Sequence, residues 1–210
     1  MQQLIDRIRA EGRNLGNGIL KVDSLINHQL DPQLMLAIGQ AMAARFAGVR
    51  IDRILSVEIS GIAPALMTGL ALGVPVVYAR KQKPITMFGP VFLETAPSHT
   101  KGIDVNLLVS AEFLHAGEHI LIIDDFLASG RTLRALARMV ESARSHVVGV
   151  GVVIEKSFEG GRDLMLQHGY TVPIEALVTI TSMENGTISF GPDADATGTP
   201  DASASAGAVR

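Results

Sequence analysis

The chain has 210 residues, 47% of them apolar and 19% charged, with a formal net charge of −3. That balance describes a globular protein with a core of useful size, and the slight negative charge argues against a nucleic-acid partner, which calls for a basic face. Cysteine is absent, so disulfides, thiolate zinc sites and cysteine nucleophiles are excluded, and the six histidines show no HExxH-type spacing.

The first residues, MQQLIDRIRAEG, place Leu4, Ile5 and Ile8 at helical spacing, which predicts a helix over 2–13. They lack the apolar core of a signal peptide, and no run of 18 apolar residues occurs, so a cytoplasmic protein without a membrane partner is expected. NLGNGILKV reads as a turn and a short strand. In DPQLMLAIGQAMAARFAG, Asp31 is a natural N-cap and Pro32 suits the first helical position. Leu34, Met35, Ile38, Met42 and Phe46 form the apolar stripe of that helix, and Gly48 closes it.

From residue 52 the chain alternates. RILSVEI is a strand, APALMTGLALG a helix ending at Gly73, and PVVYAR the next strand. PVFLETA and VNLLVS pair as a hairpin around the polar connection PSHTKGID. HILIIDD is a buried strand, TLRALARMVESAR an amphipathic helix, and VVGVGVVIE another buried strand, with short strands near 174–181 and 187–190. Apolar strands alternating with helices indicate an α/β fold with a parallel sheet. The last twenty residues, rich in Ala, Ser, Asp and Gly, have little to bury and read as a disordered tail over 191–210, leaving 1–190 as a single domain.

The informative stretch is IIDDFLASGRT, 122–132. Two adjacent carboxylates at a strand end repel each other and lose hydration, so they need a ligand or a solvated surface. In open α/β sheets ligands lie beyond the carboxyl ends of strands. Ala128, Ser129, Gly130, Arg131 and Thr132 then open a helix, where free backbone N–H groups suit a phosphate. Asp124 and Asp125 suit the vicinal hydroxyls of a sugar. A sugar 5′-phosphate would span both halves. The alternative is a plain strand-to-helix turn with an N-cap serine and a solvated acid pair.

ILIIDDFLASGRT resembles the phosphoribosyl diphosphate (PRPP) motif of the type I phosphoribosyltransferases. The resemblance implies that fold, with a small hood of N- and C-terminal segments (1–35 contributing) and a flexible flap over 86–104. It implies ribose contacts from Asp124 and Asp125 and 5′-phosphate contacts from 128–132. With PRPP as substrate, Arg80 and Lys81 of YARKQKP are candidates for the diphosphate, against a solvated basic turn. The Ser60–Gly61 backbone is a second candidate by resemblance, with an unusual peptide geometry nearby, against a helix-capping turn. Ser98, His99, Thr100 and Lys101 would close the flap and exclude water. Lys156 and Phe158, after a buried strand, suit a purine carbonyl and ring face, against an exposed lysine and a core phenylalanine.

GNGILKVDSLINHQLDP and IEKSFEGGRD extend the resemblance to the bacterial xanthine phosphoribosyltransferases over about 4–190. It implies Leu20, Asn27 and Lys156 as purine contacts, Mg²⁺ arriving with PRPP rather than in an all-protein cage, and a homodimer. The expected reaction joins xanthine and PRPP into xanthosine 5′-monophosphate and diphosphate. Hypoxanthine/guanine transfer is the nearest rival. Adenine is less suited, since it carries an amine where Lys156 needs a carbonyl. A PRPP-sensing transcriptional regulator is the rival from another class, disfavoured by the acidic chain.

Overall fold

The computed structural model describes residues 1–97 and 104–191. In chain order its elements are α1 (Gln2–Glu11), β1 (Arg13–Asn14), β2 (Leu20–Lys21), α2 (Pro32–Arg45), β3 (Arg53–Val57), α3 (Ile62–Leu72), β4 (Val76–Ala79), β5 (Val91–Pro97) and β6 (Asp104–Ser110). Then come β7 (His119–Leu127), α4 (Arg131–Ser142), β8 (His146–Lys156), α5 (Gly161–Gln167), β9 (Ile174–Ser182) and β10 (Ser189–Phe190). The central sheet runs β10-β9-β8-β7-β3-β4. Its pairings are parallel except for β10, which is antiparallel to β9, so the sheet is mixed rather than wholly parallel.

Period-two alternation divides the core. Leu121 and Ile123 of β7 face the layer of α1, α2 and α3, with Ile8, Ile38 and Met42. Ile120 and Ile122 face Leu133, Leu136 and Val140 of α4. The glycines of β8 have a packing reason. A Cβ on Gly149 would stand 2.5 Å from the Phe46 ring, and one on Gly151 would stand 2.5 Å from Met42 Sδ. Two of the residues expected on the apolar stripe of α2 thus press directly onto bare strand backbone.

Asp31 caps α2 as expected, accepting from the backbone N–H of Gln33 at 3.0 Å and of Leu34 at 3.2 Å. Arg7 donates to the same carboxylate at 2.8 Å and pairs with Glu11, which accepts from Ser24 Oγ. This network ties α1 to the start of α2 and to a single π-helical turn at Asp23–Asn27 that hydrophobic periodicity does not reveal. The helix ends at Arg45, three residues before Gly48, because Phe46 takes the cap position with its ring in the core. The hairpin of β5 and β6 pairs as expected, from Val91 opposite Ser110 to Pro97 opposite Asp104. The flap residues Ser98, His99, Thr100 and Lys101, and the tail from 192, lie outside the described residues.

Candidate active site

The acid pair sits inside β7, not after it. The strand continues to Leu127, with Asp124 opposite Val152 and Phe126 opposite Ile154. Asp124 is only 5% exposed, which removes the solvated-pair alternative for that residue. Each carboxylate accepts from the next backbone N–H, Asp124 from Asp125 at 2.9 Å and Asp125 from Phe126 at 3.0 Å. Burial first, then the adjacent Asp125 charge, push the Asp124 carboxyl well above the usual aspartate range, while Lys81 is near enough to oppose the shift. Strand pairing places this costly carboxyl toward the carboxyl end of β7, beside β8, where Asp124 lines a cavity.

The following loop has the form of an anion cradle. The N-cap of α4 is Gly130, at φ 74°, and no side chain caps the helix. The expected alternative of a serine N-cap therefore fails, and the first-turn N–H groups of a 12-residue helix keep no side-chain partner. The first turn holds no acidic residue to compete with an anion. Packing leaves little choice at Gly130: a Cβ there would stand 2.6 Å from the Gly161 carbonyl oxygen at the start of α5.

One cavity of about 480 Å³ joins these parts. Asp124, Asp125, Ala128, Ser129, Gly130, Arg131 and Thr132 line one end, and Asn17, Gly18, Ile19, Leu20, Phe126, Lys156 and Glu159 the other. Lys156 closes the base of this second end. Its Nζ donates to the Gly18 carbonyl at 2.9 Å, pairs with Glu159, and lies 5.9 Å from the centre of the Phe126 ring. Leu20 and Lys156 thus meet the 128–132 loop in one site, although 136 residues separate them.

The other expected residues stand around this cavity rather than in its lining. Gly61 is against the acid pair: a Cβ there would stand 2.6 Å from Asp124 Oδ1 and 2.8 Å from Ser56 Oγ. Ser60 Oγ donates to Asn27 Oδ1 at 3.1 Å, and Asn27 Nδ2 donates to Asp23 at 3.0 Å. The unusual peptide expected here is a cis bond at Glu58–Ile59. Lys81 donates its backbone N–H to Glu58 at 2.7 Å. Arg80 pairs its backbone with Leu108 of β6, and its side chain borders a separate depression at the β4 edge. Phe158 is 43% exposed and outside the lining.

Sequence reasoning missed Asn17, Gly18, Ile19, Phe126, Leu133 and Glu159 as lining residues. Phe126 breaks the alternation of β7: by parity it would join Ile120 and Ile122 on the α4 face, yet it packs against the α1–α3 layer, so the strand pattern does not announce it. Glu159 depends on a 3-10 turn at Ser157–Glu159 that no periodicity announces. Among the described residues no group of three or more His, Asp or Glu side chains is arranged to hold a metal ion, and no helix is long and apolar enough to cross a membrane.

Comparison with known proteins agrees with this geometry. Residues 30–185 match the family model described as phosphoribosyl transferase domain. A xanthine phosphoribosyltransferase of Deinococcus deserti is 49% identical over 186 residues, covering 89% of this chain and 95% of that protein. One of Pseudomonas aeruginosa is 44% identical over 190 residues, covering 90% and 99%. Among solved structures, the adenine phosphoribosyltransferase of Rhodothermus marinus superposes with a TM-score of 0.68 at 22% identity, covering 85% of this chain and 99% of that one, which is a likeness of fold. The chain belongs to the phosphoribosyltransferase family, in the group of the xanthine phosphoribosyltransferases.

Proposed function

We propose that this protein transfers the phosphoribosyl group of PRPP to N9 of xanthine, giving xanthosine 5′-monophosphate and diphosphate in purine salvage. The observation that carries the reading is the single cavity, with an uncapped helix N-terminus and acid pair at one end and Lys156 beneath a turn of the N-terminal segment at the other. The group of relatives at 44–49% identity supports xanthine over other bases.

The 5′-phosphate lies on the N–H groups of 128–132, and the ribose hydroxyls donate to Asp124 and Asp125. Breaking the bond at C1 builds oxocarbenium character, as at any sugar acetal carbon. N9 attacks from the face opposite the diphosphate. The protein contributes by holding both substrates in line, which removes orientational entropy from the barrier. Lys156 donates to the 6-oxo group, and Phe126 offers a ring face to the purine; Leu20 closes over it. Asn27, held by Asp23 and Ser60, stands at the rim as a candidate reader of the 2-position. Ser60, Gly61 and Lys81 are assigned to the diphosphate side, with Arg80 behind them. Mg²⁺ would arrive with PRPP, held chiefly by the diphosphate's own oxygens and by waters, and would neutralise leaving-group charge.

We further assign a cytoplasmic homodimer, with 1–190 as one domain and the N-terminal segment as hood. The unpaired edge of β4, with Tyr78, Phe88 and Phe113 exposed beside it, supports association of copies there.

The deciding experiment is a product assay with PRPP, Mg²⁺ and each of xanthine, guanine, hypoxanthine and adenine. Xanthosine 5′-monophosphate should form fastest, and adenine should give little product. Equal rates with adenine would sink the assignment of Lys156 to an oxo group. A salt-dependent mobility shift on nucleic acid without any turnover would favour the regulator instead.

A further inference from the structure

We propose that Glu159 is the positioning residue for Lys156, and through it a determinant of base recognition. This rests on the reading of Lys156 as donor to the base. The 3-10 turn at Ser157–Glu159 follows Lys156 directly, and side chains three apart eclipse in that geometry. Glu159 is thereby returned onto the Lys156 ammonium, and the two side chains are 14% and 11% exposed. An ammonium has three donors. The Gly18 carbonyl takes one and Glu159 a second, so among the described residues one remains for an incoming carbonyl.

Burial makes the pairing consequential. An ammonium removed from water without a counter-charge is costly and its side chain turns toward solvent when it can. Glu159 holds the charge inside the cavity. It also stands close to the turn assigned to cover the base: a Cβ on Gly18 would stand 3.4 Å from Glu159 Oε1. The carboxylate therefore fixes Lys156 relative to both the sheet and the turn at 17–20, and the chemistry at C1 does not involve it.

The test is steady-state kinetics of the full chain with xanthine and PRPP varied separately, for Lys156→Ala, Glu159→Ala, Glu159→Gln and the doubles. Loss of a charge-assisted hydrogen bond predicts that Glu159→Ala raises KM for xanthine about tenfold or more, with KM for PRPP within about twofold. Glu159→Gln keeps an acceptor without the charge and should raise it about threefold. In the Lys156→Ala background either change should add less than about twofold, a non-additivity that a merely structural role would not produce. If Glu159→Ala lowers the melting temperature markedly, Glu159→Gln and its double carry the same comparison. Additive losses, or equal losses for xanthine and PRPP, overturn the proposal. Lys156→Ala raising KM for xanthine while both Glu159 variants leave it unchanged overturns the proposal alone. Lys156→Ala leaving it unchanged overturns the base assignment as well.

Discussion

Gly61 and Asp124 meet across the floor of the site, close enough that a Cβ on the glycine would stand 2.6 Å from the carboxylate oxygen. One segment belongs to the turn before α3 and the other to β7, so the contact links the two strand ends on which PRPP would lie. Gly61→Ala must displace either the carboxylate or the 58–61 backbone. Its φ of −67° is ordinary, so the substitution meets a steric obstacle rather than backbone strain. Turnover should fall at least about tenfold, since small misplacements of aligned groups are expensive, while the melting temperature changes little. An alanine variant with unaltered kinetics would show that Asp124 need not stay where it is.

Asp124→Asn should separate stability from activity. Burial and the adjacent Asp125 raise the aspartate's pKa above its ordinary 3.8. The native state therefore holds this proton while the unfolded chain releases it. Unfolding then loses protons, and this residue's contribution to stability falls as pH rises from the ordinary value toward the raised one. Asparagine removes that slope. At neutral pH the variant should melt higher, by roughly 2–4 °C for each kcal/mol recovered, and PRPP turnover should fall by roughly 10² or more with the loss of charge-assisted bonds to ribose. A variant that melts lower at pH 7 and regains stability in acid would reverse the sign argued here.

Much of the fold was legible because its signals are local. Period-two alternation around residue 121, the Asp31–Pro32 start of α2 and the glycine after α3 each name their structure through a few neighbours. The loop at 128–132 was legible as a helix start with free backbone N–H groups, because its small residues lead into α4 without a side-chain cap. The base end was less so. Leu20 and Lys156 follow only from resemblance, since they meet through the tertiary path of the chain. Phe158 is expected as the stacking ring, and the 3-10 turn leaves it 43% exposed while Phe126 of β7 lines the cavity. The π-helical turn at 23–27 and the seven-residue α5 are too short for periodicity to register.

Acid stability should depend on a pair far from the site. Arg53 grips Glu118 with both arms, at 2.9 and 2.8 Å, and this bond is the largest cause lowering the Glu118 pKa from 4.5 to about 2. A depressed carboxylate contributes its full stabilisation above its unfolded value and loses it as pH falls toward the folded one. The window is therefore about pH 4.5 down to 2. Glu118→Gln should destabilise at pH 7 by about 1–3 kcal/mol and should flatten the decline in melting temperature across that window. Turnover at pH 7 should stay within about twofold, because the pair bridges the strand starts, opposite the cavity. A decline as steep as in the parent protein would assign the acid sensitivity to other carboxylates.

The two phenylalanines offer the sharpest test of the base end. Phe126 and Asp124 both line the cavity from β7, so ribose and base would lie side by side along that strand, sugar hydroxyls on the acid and purine over the ring. The Lys156 ammonium, 5.9 Å from the ring centre, would then set where the 6-oxo edge of that purine points. Phe158 is 43% exposed and stands behind the turn at Gly18, where a Cβ would lie 3.6 Å from its ring. Leucine at either position keeps apolar bulk and removes only the ring face. A stacked aromatic pair contributes about 0.5–1.5 kcal/mol beyond its buried area, so Phe126→Leu should raise KM for xanthine roughly two- to tenfold. KM for PRPP should not change, since the ring is assigned to the base and not to PRPP. Phe158→Leu should leave both constants within about twofold. If Phe158→Leu is instead the damaging change, the N-terminal turn must fold inward on base binding and carry that ring over the purine. Its effect should then shrink when Gly18 is replaced by alanine, because a side chain at a backbone φ of 73° strains the turn that would have to move.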